Sequence, residues 1–190
     1  NFAEIAQSGN GNQSVSIGAG GLRLQGGGGT GNDQDNSAFL YQGDAGTQPI
    51  TMTGGSDITL IGGSSTKLNV GGSSHGNRAG IENRATDPGS LQSIVLDGGD
   101  ITLTGGTLGS RNYAGILSDS SSQSITGATN IILTGGDSGG IGGEGNRAIF
   151  SAGVNQIVTA TNITLTGGDN GADNYARIGF FGTGALTQTI

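Results

Sequence analysis

Short runs in which every second residue is aliphatic recur down this chain, separated by glycine-rich tracts. The clearest is Asn162-Ile163-Thr164-Leu165-Thr166-Gly167-Gly168, where alternation sets Ile163 and Leu165 on one face of a strand and both threonines on the other. Equivalent runs lie at 22–27, 58–63, 101–106 and 131–136. A second phrase, Asn-x-Ala-x-Ile or a near variant, appears at 1–5, 36–40, 77–81, 112–116, 146–150 and 174–178. A weaker phrase opens each unit: Gln13-Ser14-Val15, Gln48-Pro49-Ile50, Gln92-Ser93-Ile94, Gln123-Ser124-Ile125, Asn155-Gln156-Ile157 and Gln188-Thr189-Ile190.

A unit this small cannot bury its own apolar face, so it is stable only when stacked on copies of itself. The pattern predicts an all-β protein, a parallel β-helix or β-solenoid of about three short strands per coil and roughly five to six coils. Right-handed winding is the expectation from crossover chirality. Stacking would align Leu22, Ile58, Ile101, Ile131 and Ile163 in one inner column and Leu24, Leu60, Leu103, Leu133 and Leu165 in another. Facing outward would be Arg23, Thr59, Thr102, Ile132 and Thr164, then Gln25, Ile61, Thr104, Thr134 and Thr166.

In the Asn-x-Ala-x-Ile phrase a small-residue column, Ala3, Ala38, Ala79, Ala114, Ala148 and Ala176, suits a narrow interior. Each Asn is expected at a corner, its amide bonded to backbone or to the Asn of the next coil, because a buried amide must be paired. Between them Phe2, Ser37, Arg78, Tyr113, Arg147 and Tyr175 face outward, an order that permits guanidinium-on-ring contacts. Glycines are expected to turn the corners through positive φ. Successive central runs are 36, 43, 30 and 32 residues apart, and the extra length collects after the Gly-Gly. There Lys67-Leu68-Asn69-Val70 would add a small strand. The chain reads as one continuous unit, 1–190, cut from a longer repeat protein.

Composition changes the picture little. Forty-two glycines and an aromatic content of 4% are far from globular averages, but the phased aliphatics argue for a thin repeating core rather than disorder. Seven basic residues against fourteen acidic ones leave no basic stripe, so nucleic acid is not an expected partner. No apolar run approaches the roughly twenty residues of a spanning helix, and membrane insertion is not expected. Cysteine is absent, so no disulfide framework can be drawn.

Candidate sites have plain structural readings, and no catalytic, cofactor-binding or metal site is expected. The corner from Gly28 to Asp33 fits the start of a calcium-binding nonapeptide, but Asp35 stands where an apolar residue belongs and no tandem copy follows. Asp97 with Asp100, and Asp169 with Asp173, are close in sequence as paired carboxylates of a polysaccharide-cleaving β-helix would be, yet both pairs lie in glycine-rich corners. His75, the one histidine, lies in a loop without a second ligand type beside it. The Thr-x-Thr pairs Thr51/Thr53, Thr102/Thr104 and Thr164/Thr166 resemble flat ice-binding faces, interrupted by Arg23, Gln25, Ile61 and Ile132. Asn12 and Asn162 begin glycosylation sequons that the repeat itself explains.

The succession Gln123-Ser124-Ile125, 130–136 and Asn146-Arg147-Ala148-Ile149, with its close copy from 155 to 178, resembles filamentous-haemagglutinin-like bacterial exoproteins of the two-partner-secretion type. That resemblance implies a secreted or cell-surface adhesin, a non-catalytic structural stalk or fibre without cofactor. Its partners would be further coils of the same chain or end-to-end copies, and host-cell, glycan or biofilm-matrix ligands. A self-assembling filament subunit is the alternative, and a polysaccharide-active β-helix enzyme is an alternative of another class.

Overall fold

The computed structural model describes residues 2–29, 36–65, 76–87, 89–138, 145–180 and 187–190. Within them the chain forms seventeen strands and no helix. In chain order these are β1 (Phe2–Gln7), β2 (Val15–Ile17), β3 (Leu22–Gln25), β4 (Gly28–Gly29), β5 (Ser37–Gln42), β6 (Gln48–Met52), β7 (Ile58–Ile61), β8 (Ser64–Ser65) and β9 (Ala79–Asn83). They continue as β10 (Leu91–Leu96), β11 (Asp100–Thr104), β12 (Ala114–Ser118), β13 (Ser122–Thr134), β14 (Ala148–Ala152), β15 (Gln156–Thr166), β16 (Ala176–Phe180) and β17 (Gln188–Thr189).

Among the described residues every strand pairing is parallel. Sheet A stacks the Asn-x-Ala-x-Ile strands in the order β1-β5-β9-β12-β14-β16. Sheet B holds the other two phrases in the order β2-β6-β10-β13-β11-β7-β3, with β15 and β17 beyond β13. Each strand therefore lies against its counterpart one repeat away. The predicted columns are realised: Leu22 pairs Ile58, Ile58 pairs Ile101, Ile101 pairs Ile131, and Ile131 pairs Ile163. The alanine column runs unbroken from Ala3 to Ala176. Ile58, Ile101 and Ile131 are fully buried with Leu60, Leu103 and Leu133, and Ile81, Ile116 and Phe150 meet them from sheet A. Each such side chain contributes about 1.5–3 kcal/mol, spread along the stack rather than gathered in one centre.

The three-strand expectation holds only for the earlier repeats. Between the first and second phrases β2–β3, β6–β7 and β10–β11 are separated by corners, and Gly54, Gly55, Gly98 and Gly99 there have φ of 67° to 79°. At the equivalent place the later repeats read Thr126-Gly127-Ala128-Thr129 and Thr159-Ala160-Thr161. Without the glycine pair the chain cannot turn sharply through positive φ, and the two phrases fuse into β13 and β15. Gly127, at φ 80°, takes up the extra residue of β13 as a bulge between Ile125 and Ala128.

Glycine also has a second role, distinct from turning corners. The Gly-Gly that closes each central run is absent from the positive-φ glycines. Its role is clearance: a Cβ on Gly63 would run into Gly27 O, one on Gly106 into Gly63 O, and one on Gly136 into Gly106 O. Just beyond, Gly28–Gly29 and Ser64–Ser65 form a two-stranded sheet. The expected strand at Lys67 to Val70 lies outside the described residues.

One register differs from the sequence expectation. Gln156, rather than Asn155, pairs Gln123, so Ile157 faces solvent at 45% exposure and Val158 is fully buried in its place. The reason is an amide ladder. Gln48 Nε2 donates to Gln13 Oε1 at 2.8 Å, Gln92 to Gln48 at 2.9 Å, Gln123 to Gln92 at 2.8 Å, Gln156 to Gln123 at 2.8 Å and Gln188 to Gln156 at 2.9 Å. The same amides donate to carbonyls of sheet A, as Gln92 does to Ile81 O and Leu117 O, and so join the two sheets. Moving the register by one would break this ladder and turn each inner residue outward.

The corner asparagines form a second ladder, through the backbone as expected. The N–H of Asn36 donates to Asn77 Oδ1, Asn77 to Asn112, Asn112 to Asn146 and Asn146 to Asn174, at 2.8 to 2.9 Å. Their Nδ2 groups hold the adjoining loops, for example Asn77 on Ser64 O and Asn112 on Leu108 O, both at 2.7 Å.

Candidate functional site

The outward face of sheet A concentrates the side chains with chemistry. In register across its strands run Glu4, Phe39, Gly80, Gly115, Ile149 and Arg177, and beside them Ala6, Tyr41, Glu82 and Leu117. Just before the strands stand Arg78, Tyr113, Arg147 and Tyr175, as the sequence predicted. The Arg78 guanidinium lies 5.2 Å from the Phe39 ring centroid and 5.6 Å from that of Tyr113, and Arg147 lies 4.9 Å from Tyr175. Contacts of this kind contribute on the order of 0.5–2 kcal/mol each.

Glycine makes room for the rings. A Cβ on Gly80 would sit 2.8 Å from Phe39 Cε1, and one on Gly115 3.3 Å from Tyr113 Cε2. The two glycines let neighbouring side chains lie over the strand.

A charge network occupies the centre of this face. Glu82, 2% exposed, accepts from Arg84 Nε at 2.8 Å and from Tyr113 Oη at 3.1 Å, while Arg78 donates to Tyr113 Oη at 3.3 Å. Arg84 also lies 3.7 Å from Asp119. Burial pushes the Tyr113 phenol up to about 12, the Glu82 charge adds to it, and Arg78 opposes both. Burial works against the charge on Arg84, but Glu82 and Asp119 together raise its pKa above the usual value. Asp119 is raised by desolvation, with Arg84 opposing and Glu82 adding. Glu82 and Arg84 follow Gly80 at every second residue, so their common outward side was readable. Their meeting with Tyr113 from the next repeat was not.

The sites weighed from sequence fall elsewhere. Asp100 is part of a corner ladder: its N–H donates to Asp57 Oδ1 at 2.8 Å, and its Oδ1 accepts from Asn130 N at 3.0 Å and Asn130 Nδ2 at 2.7 Å. Asp173 sits in the same turn as Asp169, with φ 59°, and its carbonyl accepts from Tyr175 N. Among the described residues no three His, Cys, Asp or Glu side chains gather as metal ligands would. His75 and the part of the Gly28 to Asp33 corner from residue 30 onward lie outside the described residues. Thr102, Thr104, Thr164 and Thr166 share one outer face, but Thr51 stacks on Val95 in the first-phrase strands and belongs to another. Asn162 Nδ2 donates to Asn130 Oδ1 at 2.9 Å, whereas Asn12 is exposed and its Oδ1 accepts from Thr47 N at 2.9 Å.

Comparison of the chain with protein-family models, with curated proteins and with solved structures gives no match.

Proposed function

We propose that this chain is a run of right-handed parallel β-solenoid that serves as a non-catalytic, adhesive stalk or fibre segment of a secreted or surface-exposed bacterial exoprotein of filamentous-haemagglutinin-like type. The observation that carries the reading is column continuity. The alanine column, the central aliphatic columns and both amide ladders pass from repeat to repeat, and each repeat contacts chiefly its neighbours. Stacking of this kind lengthens a molecule without widening it, which suits a spacer that holds other groups away from a surface.

Small-angle scattering or electron microscopy tests it. Six levels at about 4.8 Å rise to only roughly 30 Å, so the test uses tandem copies of the chain joined in frame. Each added copy should lengthen the particle by about that amount at constant cross-section, and growth in width as well as length would overturn the reading.

End-to-end stacking is the second reading, favoured by the in-register match of successive strands, which a strand of a further copy can continue. Fibre length that grows with protein concentration would support it, and a monodisperse short rod at all concentrations would count against it.

A further inference from the structure

We infer that the outward face of sheet A carries a binding site for a neutral saccharide, in a depression of 330 Å³ lined by Glu4, Phe39, Tyr41, Arg78, Glu82 and Arg84. This deepens the adhesive reading above and rests on it. Four observations point to the ligand class.

The lining is balanced in charge, two carboxylates against two guanidinium groups. Glu82 holds Arg84, and Arg78 lies between the rings of Phe39 and Tyr113. An anionic ligand would meet Glu4 and Glu82 as well as the two guanidinium groups, and a cationic one would meet Arg78 and Arg84 as well as the two carboxylates. The depression therefore favours a ligand without net charge.

Hydrogen-bonding capacity of both signs remains at its rim. Arg84 is 43% exposed on its side chain, and the hydrogen bond it gives Glu82 comes from Nε, one of the five N–H donors of a guanidinium. The exposed Glu4 carboxylate supplies acceptors. Neighbouring hydroxyls of a sugar ring both donate and accept, and they match such a pair of groups better than an apolar or purely accepting ligand does.

Aromatic surface lies between these groups and is held in place. A Cβ on Gly43 would sit 3.1 Å from Tyr41 Cε1, and one on Gly80 2.8 Å from Phe39 Cε1, so each ring lies close over a glycine backbone. A ring fixed before binding loses little entropy; the Phe39 face is shared with Arg78, so the Tyr41 face is the one that suits the C–H side of a pyranose. Finally, the volume is at the lower end of the ligand-pocket range, room for roughly one or two sugar rings. Glu82, at 2% side-chain exposure, acts as a positioning residue that fixes Arg84 and Tyr113.

The test titrates the full chain with neutral oligosaccharides of several linkages and with a uronic-acid oligomer of equal length, by calorimetry and by saturation-transfer NMR. The expected result is saturable binding of at least one neutral oligosaccharide, unchanged between low and high salt. Tyr41→Ala should weaken it at least ten-fold, Glu4→Ala should weaken it measurably, and Thr102→Ala, on the other sheet, should leave it intact. Circular dichroism checks each variant's fold, and Glu4, at an exposed position, provides the test if Tyr41→Ala does not fold. No saturable neutral ligand, a salt-sensitive preference for the uronate, or full binding by a folded Tyr41→Ala or Glu4→Ala protein would each overturn the proposal. Scattering on the tandem copies separates the two readings: growth in length alone without binding removes the site and keeps the stalk, and binding by copies that widen as they lengthen does the reverse.

Discussion

The glutamine column and the Arg/Tyr column obey opposite rules. The first sets the same residue at six successive levels, from Gln13 to Gln188, each bonded to the next. The second reads Phe2, Ser37, Arg78, Tyr113, Arg147 and Tyr175 and never places a residue beside its own kind. Parallel in-register stacking forces every side chain to meet its counterpart one strand spacing away. An amide carries donor and acceptor together and can bond to a copy of itself, so repetition stabilises it. A guanidinium can only repel its copy, so a charged column must alternate. The inside of the stack can be uniform, and the outside must vary if it is to carry charge. Chemistry that distinguishes one repeat from another therefore collects outside, on sheet A.

The most damaging way to break this contrast is to place a charge in the uniform column. Gln92→Glu removes the donor to Gln48 Oε1 and buries a carboxylate, and should cost roughly 3–5 kcal/mol by urea denaturation near neutral pH. Burial raises the new group's pKa, so stability should return as pH falls through that value and the protonated acid donates again. A loss near zero at neutral pH would mean that the column tolerates charge.

Next in size are the glycines. Gly63→Ala drives a Cβ into Gly27 O and should cost about 1–3 kcal/mol, with Gly63→Asn no better. Gly55 has open space but φ 67°, so Gly55→Ala should cost about 1 kcal/mol and Gly55→Asn less. Equal responses at the two sites would merge the two roles assigned to glycine.

A smaller effect tests alternation directly. Tyr175→Arg replaces the ring 4.9 Å from the Arg147 guanidinium with a like charge, at a cost of about 1 kcal/mol that added salt partly relieves, while Tyr175→Phe should be close to neutral. The smallest effect is spectroscopic. One phenol should titrate at about 12 in near-ultraviolet absorbance, and Tyr113→Phe should delete that step. Because the folded-state pKa is raised, Tyr113's contribution is fully present below its ordinary pKa of about 10 and is lost as pH rises through 12.

The columns were legible because their residues recur: alternation in Ile163-Thr164-Leu165 and its copies already separates inner from outer positions. The glutamine ladder is equally repetitive but is not legible from polarity, since Gln suggests surface until every copy is found at one level with no charge nearby. The Asn155/Gln156 ambiguity followed, because hydrophobicity alone ranks Ile157 and Val158 as equals and only the ladder separates them. Glycine's two roles were hidden as well. Gly54-Gly55 and Gly62-Gly63 look alike in sequence, and which needs φ above zero and which needs clearance depends on a neighbouring strand. The sheet A depression was illegible for a related reason: Glu4, Phe39, Tyr41 and Glu82 come from three different repeats, and only the register brings them together.

The two ladders also give the molecule a direction. In the glutamine column the later repeat donates to the earlier one, and in the asparagine column the earlier repeat donates to the later one. The bond dipoles of each column point one way and reinforce one another, so the stack is polar in the sense that a crystal axis can be polar. Two such stacks brought together by a two-fold axis would set donor against donor in one column and acceptor against acceptor in the other. Growth that satisfies both columns is vectorial, each added layer entering in the same orientation as the last.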